Sequence, residues 1–400
     1  MKKIEEIPAI EGGKPVRDRY LPYGRQWLDE SDRKAVLEIL DGDYITTGPA
    51  ITQFEEKVAT YVGAKYAVAF ANGTAALHAA CFSAGIGKGD EVITTPMTFV
   101  ATANAILYTR GTPVFADIDP NTYNINPDAI ESRITERTKA ILPVDFAGQP
   151  VNHEEIKRIA KMHQLVVIED AAHALGATYN GVKIGSLSDM SVFSFHPVKP
   201  ITTGEGGIIT TNNETYYEKL IQFRTHGITR NPQRCSYFEG PWYYEMQFLG
   251  FNYRMTDFQA ALGISQMNKL DRFNERRRKI ASRYDAAFQN IKSIVIPQQL
   301  SNIESSWHLY VIRLVPERLC VDRKKIYEAL QAENIGVNVH YRPVYTHLYY
   351  QQLGYQKGIC PIAEKCYEQM ITLPLFPAMT EQDIQDVIHS VRKVLNYYAK

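Results

Sequence analysis

Between residues 66 and 211 the chain alternates two hydrophobic patterns. Short apolar, β-branched runs at 66–70, 91–95, 113–118, 140–146, 165–168, 191–195 and 207–211 read as strands. Segments 75–84, 99–108, 127–134 and 153–163 return apolar residues at helical spacing and read as helices. Strand and helix in alternation predict an α/β domain, with a mostly parallel seven-stranded sheet covered on both faces. Upstream lie an arm rich in Pro, Gly and aromatics, a helix at 30–40 capped by Ser31 or Asp32, and a second amphipathic helix at 51–62. From Thr256 the pattern changes to one long helix, 257 to about 291. A smaller α+β set follows: strands at 308–314 and 336–341, and helices at 324–333, 363–370 and 381–395. The expected division is 1–255 for the arm and large domain, and 256–400 for a linking helix and small C-terminal domain.

With 400 residues, 45% of them hydrophobic, the chain has enough apolar surface for two cores. Its 44 basic and 44 acidic residues cancel without long runs of one sign, so nothing directs it to nucleic acid or an anionic membrane. Arg276-Arg277-Arg278 reads as the solvated face of a helix. The five cysteines are scattered and form no Cys-x-x-Cys pair, which predicts reduced thiols and no metal set. The N-terminus lacks the apolar run of a leader, and no segment is long enough to span a bilayer. A soluble cytoplasmic protein is expected.

The chemistry gathers where ligands of such sheets bind, at the carboxyl ends of strands. Lys199 stands between Pro197 and Pro200, after the 191–195 strand and before Gly204-Glu205-Gly206-Gly207. Two prolines fix a turn there. A partly desolvated lysine on such a turn has a lowered pKa and can form a Schiff base, although most lysines are solvated surface charges. Asn72-Gly73-Thr74-Ala75-Ala76 opens a helix and offers free N–H groups to a phosphate; the plain alternative is an N-cap by Thr74. Phe99 follows a strand end and can stack on a flat ring or pack in the core. Asp170 ends a buried strand and needs a cation such as a protonated pyridine nitrogen, or else caps the next helix. His173 borders such a ring or is a satisfied interior histidine. Ser194 is a second candidate phosphate ligand.

These motifs together, namely Gly73-Thr74-Ala75-Ala76-Leu77, Glu169-Asp170-Ala171-Ala172-His173-Ala174-Leu175-Gly176, Ser194-Phe195-His196-Pro197-Val198-Lys199, Gly204-Glu205-Gly206-Gly207 and Gly250-Phe251-Asn252-Tyr253-Arg254-Met255, resemble the DegT/DnrJ/EryC1/StrS sugar aminotransferases over nearly the full length. The resemblance implies the fold type I of pyridoxal 5'-phosphate (PLP) aminotransferases. It implies Lys199 as catalytic Schiff-base lysine, Asp170 on the pyridine nitrogen, Phe99 over the ring and His173 near its hydroxyl. Gly73, Thr74 and Ser194 would hold the phosphate. Asn252 would reach it from a neighbouring subunit, which implies a homodimer with shared active sites. Arg230, Arg254, His308, His340 and Tyr341 are candidate substrate contacts. A finer match, carried by Tyr23-Gly24-Arg25-Gln26, residues 225–230 and Asn338-Val339-His340-Tyr341, resembles the branch acting in pseudaminic acid biosynthesis. That branch implies transfer from L-glutamate to C4 of a UDP-4-keto-6-deoxy-N-acetylhexosamine. The alternatives are another keto-sugar nucleotide, such as a bacillosamine precursor, and a catalytically silent binding protein. The family's dehydratases carry histidine in place of the lysine at 199.

Overall fold

The seven apolar runs pair into one sheet, seen in a computed structural model that describes residues 6–400. Its strands are β1 (Tyr66–Phe70), β2 (Glu91–Thr94), β3 (Thr112–Phe115), β4 (Thr138–Leu142) and β5 (Val166–Asp170), followed after a hairpin of β6 (Thr178–Tyr179) and β7 (Val182–Lys183) by β8 (Met190–Ser194) and β9 (Gly207–Thr211). The order is β1-β9-β8-β5-β4-β2-β3. Only β9 runs against its neighbours. The reason is local: the link from Ser194 to Gly207 carries no helix, so the chain cannot cross over and returns antiparallel.

The helices of this part are α1 (Glu30–Leu40), α2 (Pro49–Val62), α3 (Gly73–Ser83), α4 (Ala101–Tyr108), α5 (Pro127–Glu131), α6 (His153–His163), α7 (Glu214–Phe223), α8 (Asp257–Met267) and α9 (Leu270–Phe288). Alternation along the strands sorts them into two layers. Val68, Val92, Ala140, Ile168, Val192 and Ile209 pack with α3, α4 and α7. Ala69, Phe193 and Ile208 pack with α2 and α8, while Ile93, Ile141 and Val167 pack with α6.

Several expectations are corrected. Asp29 caps α1 rather than Ser31 or Asp32: its carboxylate takes the Ser31 N–H, and Asp32 answers with the Asp29 N–H. The single helix expected at 257–291 is two. It breaks at Asn268-Lys269, where the backbone tightens to bonds from Asn268 to Ser265 and from Lys269 to Gln266. There Lys269 turns to pair with Asp29 at 2.5 Å and Asp32 at 2.7 Å. The arginine triplet is not all solvated, for Arg277 is buried and donates to the carbonyls of Trp307, His308 and Leu375. Segment 336–341 is not a strand, since only Asn338 bridges Thr372. The strand position belongs to Met370–Leu373, which pairs with Tyr310–Leu314 and opens on the residue where the sequence pattern had ended a helix.

α9 joins two cores. Phe273 packs with the sheet layer, whereas Ile280, Tyr284 and Phe288 pack in the C-terminal core. The arm lies on that same C-terminal core. Leu21 accepts the Gly336 N–H, and buried Glu333 takes the N–H groups of Ala9 and Val16 while pairing with Lys393. No helix among the described residues is long and apolar enough to cross a membrane.

Candidate active site

A cavity of about 1270 Å³ opens at the carboxyl ends of β1, β2, β5 and β8, bounded on its far side by C-terminal residues including His308, Asn338 and Tyr341. One wall is the start of α3. Asn72, not Thr74, is the cap: its Oδ1 accepts the Ala75 N–H at 2.8 Å. The N–H groups of Gly73 and Thr74 meet no acceptor among the described residues. Ser194 closes in beside them. A Cβ on Gly73 would stand 3.1 Å from the Ser194 Cβ and 3.3 Å from its Oγ, so glycine allows backbone N–H groups and this hydroxyl to share one cradle. Free N–H groups, a helix dipole and a hydroxyl fit a phosphate.

Asp170 lies at the end of β5 on the face shared with Ile168, and it is buried. Its Oδ2 accepts from Thr102 Oγ1 at 2.7 Å and its Oδ1 from the Ala172 N–H at 3.1 Å. The Thr102 proton is thereby committed to Asp170, so Thr98, 2.7 Å from Thr102, donates in turn. No helix follows Asp170, which removes the capping alternative. Burial raises its carboxyl above the ordinary value, opposed by the bonds from Thr102 and Ala172 and by the charge of Lys199. A buried carboxylate held ready by two donors fits a cationic ring nitrogen.

Lys199 lies in the turn closed by its own N–H on the His196 carbonyl, and it lines the cavity half-buried. Burial brings its ammonium down to about 8, against the pull of Asp170. An amine neutral near physiological pH is a nucleophile and a base. His173 is buried, with its ring 4.3 Å from that of His308 and its Nε2 3.4 Å from the Tyr341 hydroxyl. Burial and the Lys199 charge hold its imidazole well below the usual range, so it is neutral. Burial, followed by the charges of His173 and Lys199, does the same to His308. Burial takes His340, 2.9 Å from Thr372, to about 3. The Nδ1 atoms of His173 and His308 are buried without partners among the described residues. Phe99 is 58% exposed on the cavity rim rather than packed in the core, with its ring 6.3 Å from that of Tyr341.

Asn252, Arg230 and Arg254 do not line this cavity. Asn252 is exposed, Arg230 lies over the Tyr244 ring at 5.6 Å, and Arg254 is half-buried. The cavity also contains residues that sequence reasoning passed over, Asn72, Thr98 and Thr102. Their signals were available: an Asn before a helix start, and a threonine in the first turn of α4 with another four positions before it in the preceding loop.

The family model for DegT/DnrJ/EryC1/StrS aminotransferases matches residues 26–392. The chain belongs to this family. Spore coat polysaccharide biosynthesis protein SpsC of Bacillus subtilis is 43% identical over 95% of this chain and 98% of its own. UDP-4-amino-4,6-dideoxy-N-acetyl-beta-L-altrosamine transaminase of Helicobacter pylori is 38% identical over 94% and 98%. Among solved structures, Helicobacter pylori PseC, an aminotransferase of pseudaminic acid biosynthesis, superposes with a TM-score of 0.89 at 36% identity, over 95% of this chain and all of that one. The putative sugar aminotransferase Spr1654 from Streptococcus pneumoniae, solved in its PLP form, gives 0.88 at 30% identity over 94% and 99%. The protein is a PLP-dependent sugar aminotransferase with the fold of these enzymes. The phosphate cradle, the buried acid and the lysine accommodate that cofactor.

Proposed function

We propose that this family member transfers an amino group from L-glutamate to C4 of a UDP-4-keto-6-deoxy-N-acetylhexosamine in the pseudaminic acid pathway. The observation that carries the reading is the far wall of the cavity. Tyr23 and Asn338-Val339-His340-Tyr341, part of the finer sequence match, line it together, whereas residues 225–230 do not. The name of the Helicobacter pylori relative supports the same sugar.

Bound PLP supplies an electron sink for the carbanion that transamination requires. The chain does the rest. Gly73, Thr74 and Ser194 would hold the phosphate, Phe99 and His173 would border the ring, and Asp170 would keep a proton on the ring nitrogen. Lys199 would anchor the cofactor and, as a free amine, would carry protons as general acid and base for both glutamate and the keto-sugar. His308, His340 and Tyr341 contact the substrates, whereas Arg230 and Arg254 lie outside this cavity. Asn252 reaches the phosphate of a second copy, making a homodimer with shared sites.

The test is the absorbance of the holoenzyme before and after L-glutamate, followed by UDP-keto-sugars of L- and D-configuration and stereochemical assignment of the product. Loss of the visible band with glutamate and its return with the L-configured 4-keto sugar is the expected result. Return with the D-configured sugar alone would refute the pathway while keeping the enzyme class, and the similarity to SpsC makes another sugar the second reading. Lys199→Ala should abolish turnover while still binding cofactor.

A further inference from the structure

Glu169 and Asp170 are consecutive, so the strand sends them to opposite faces. Asp170 faces the cavity. Glu169 is fully buried on the other side, where its Oε2 accepts from Ser191 Oγ at 2.5 Å and its Oε1 stands 2.9 Å from His153 Nε2. A second buried acid joins them. Asp145 follows β4; its Oδ1 accepts the Val151 N–H at 2.9 Å, while its Oδ2 finds no donor among the described residues. One atom each from Asp145, His153 and Glu169 falls within a mutual 4.8 Å. The cluster is tied to the active site through the backbone. The Asp145 N–H donates to the Asp170 carbonyl at 3.1 Å, and the Asp170 N–H donates to the Pro143 carbonyl at 2.9 Å.

Charge decides the protonation. Two carboxylates side by side would set like charges together in a buried place, with Asp145 Oδ2 lacking any donor among the described residues. A single proton on Asp145 Oδ2 removes both costs, because the orphan acceptor becomes a donor to Glu169 and the two carboxylates no longer repel. Burial and the Glu169 charge both push Asp145 upward; Glu169 is itself held down by His153 and Ser191 despite its burial. A divalent metal would draw on the same three atoms. Yet ligands about 2.1 Å from a tetrahedral ion stand roughly 3.3 Å apart, whereas His153 and Glu169 are at hydrogen-bonding distance.

We propose that Asp145, Glu169, His153 and Ser191 form a positioning network behind the cofactor site, with Asp145 a neutral acid bonded to the Glu169 anion, fixing the strand end that carries Asp170. The network ties the loop after β4 and the end of β5 to the start of β8, whose other end carries Ser194. β5 presents Asp170, and β8 leads into the Lys199 turn.

The first test is independent of the cofactor: infrared difference spectroscopy of the full-length apoprotein at neutral pH, wild type minus Asp145→Asn. A carboxylic-acid carbonyl band present in the wild type and missing from the variant is expected; its absence overturns the protonation. The second is PLP affinity by absorbance titration. Asn keeps the acceptor to Val151 and supplies a donor to Glu169, so Asp145→Asn should stay within about twofold of wild type, while Ser191→Ala and Glu169→Ala weaken binding at least fivefold, as loss of a buried hydrogen bond predicts. Ser191→Ala removes one donor only and keeps this arm decisive where Glu169→Ala does not fold. Unchanged affinity in Ser191→Ala overturns the positioning role. Elemental analysis of dialysed wild type should find no divalent metal, and one equivalent that is absent from Asp145→Asn overturns the network in favour of a metal site.

Discussion

Thr102→Val probes what keeps Asp170 ionised. Valine preserves the shape of threonine in α4 but removes the 2.7 Å donor to Asp170 Oδ2. A hydrogen bond to a charged group is worth about 1.5–3 kcal/mol, which corresponds to about one to two pKa units. Burial already raises this carboxyl, and the Thr102 bond works against burial, so the substitution raises it further. The sign then follows. Asp170 must be anionic to hold a protonated ring nitrogen, and a raised carboxyl pKa means that protonation sets in at higher pH as the solution is acidified. The acid limb of PLP affinity should move up by about one to two pH units, with the two proteins converging at alkaline pH. Fluorescence or absorbance titration of apoenzyme from mildly acidic to alkaline pH measures the limb. Thr98 complicates the single variant, because its hydroxyl loses its only acceptor in a buried place and stability falls. The double variant Thr98→Val/Thr102→Val separates the effects, restoring stability without restoring the limb. A limb that stays in place in both variants, or moves down, would refute the assignment of Thr102 as the support of the Asp170 charge.

Other outcomes follow from the same geometry. With an ammonium near 8, about a quarter of Lys199 is neutral at pH 7.5, against about one in a thousand for an ordinary lysine; the rate of PLP uptake by apoenzyme should therefore rise with pH to a midpoint near 8, and a midpoint near that of free lysine would contradict it. Gly73→Ala places a methyl against Ser194 and should weaken PLP at least fivefold, as overpacking of about 1–3 kcal/mol implies, while leaving phosphate-free pyridoxal unaffected; equal loss for both ligands would remove Gly73 from the phosphate cradle. If Asn252 serves a second copy, mixing inactive Lys199→Ala with an Asn252→Ala variant should restore about a quarter of wild-type activity, since random exchange in a C2 dimer leaves one intact site in half the molecules. No recovery after verified exchange would place Asn252 outside a shared site.

The fold was legible wherever one local rule acted alone. Seven strand runs and the helices between them follow from periodicity, and all seven strands join the central sheet. Lys199 and Asp170 were legible because a charge at the end of an apolar strand is costly without a purpose. What escaped depended on partners distant in sequence. The break between α8 and α9 lies at a Lys269 drawn to Asp29 and Asp32 on the far side of the chain, and helical periodicity alone carries no trace of it. Segment 336–341 has a strand-like composition, yet the edge of the Tyr310–Leu314 strand is taken by Met370–Leu373. Nor could pattern alone separate Arg277 from its neighbours: three backbone carbonyls from other segments decide its burial.

The same distinction divides the site itself. Residues that touch a ligand lie in motifs, because a strand end, a turn and a helix start must each present their own chemistry within a few positions. Residues that set the charge of those groups do not. Thr102 lies 68 positions from the carboxylate it supports, and Asp145 and His153 meet Glu169 only because β4, β5 and α6 stack. Glu169-Asp170 joins the two classes in one dipeptide. Strand alternation alone dictates that one acid faces the cavity and that the other needs partners on the opposite face, where His153 and Ser191 stand. Two adjacent acids at the end of a buried parallel strand therefore specify two sites, of which only the first opens onto the cavity.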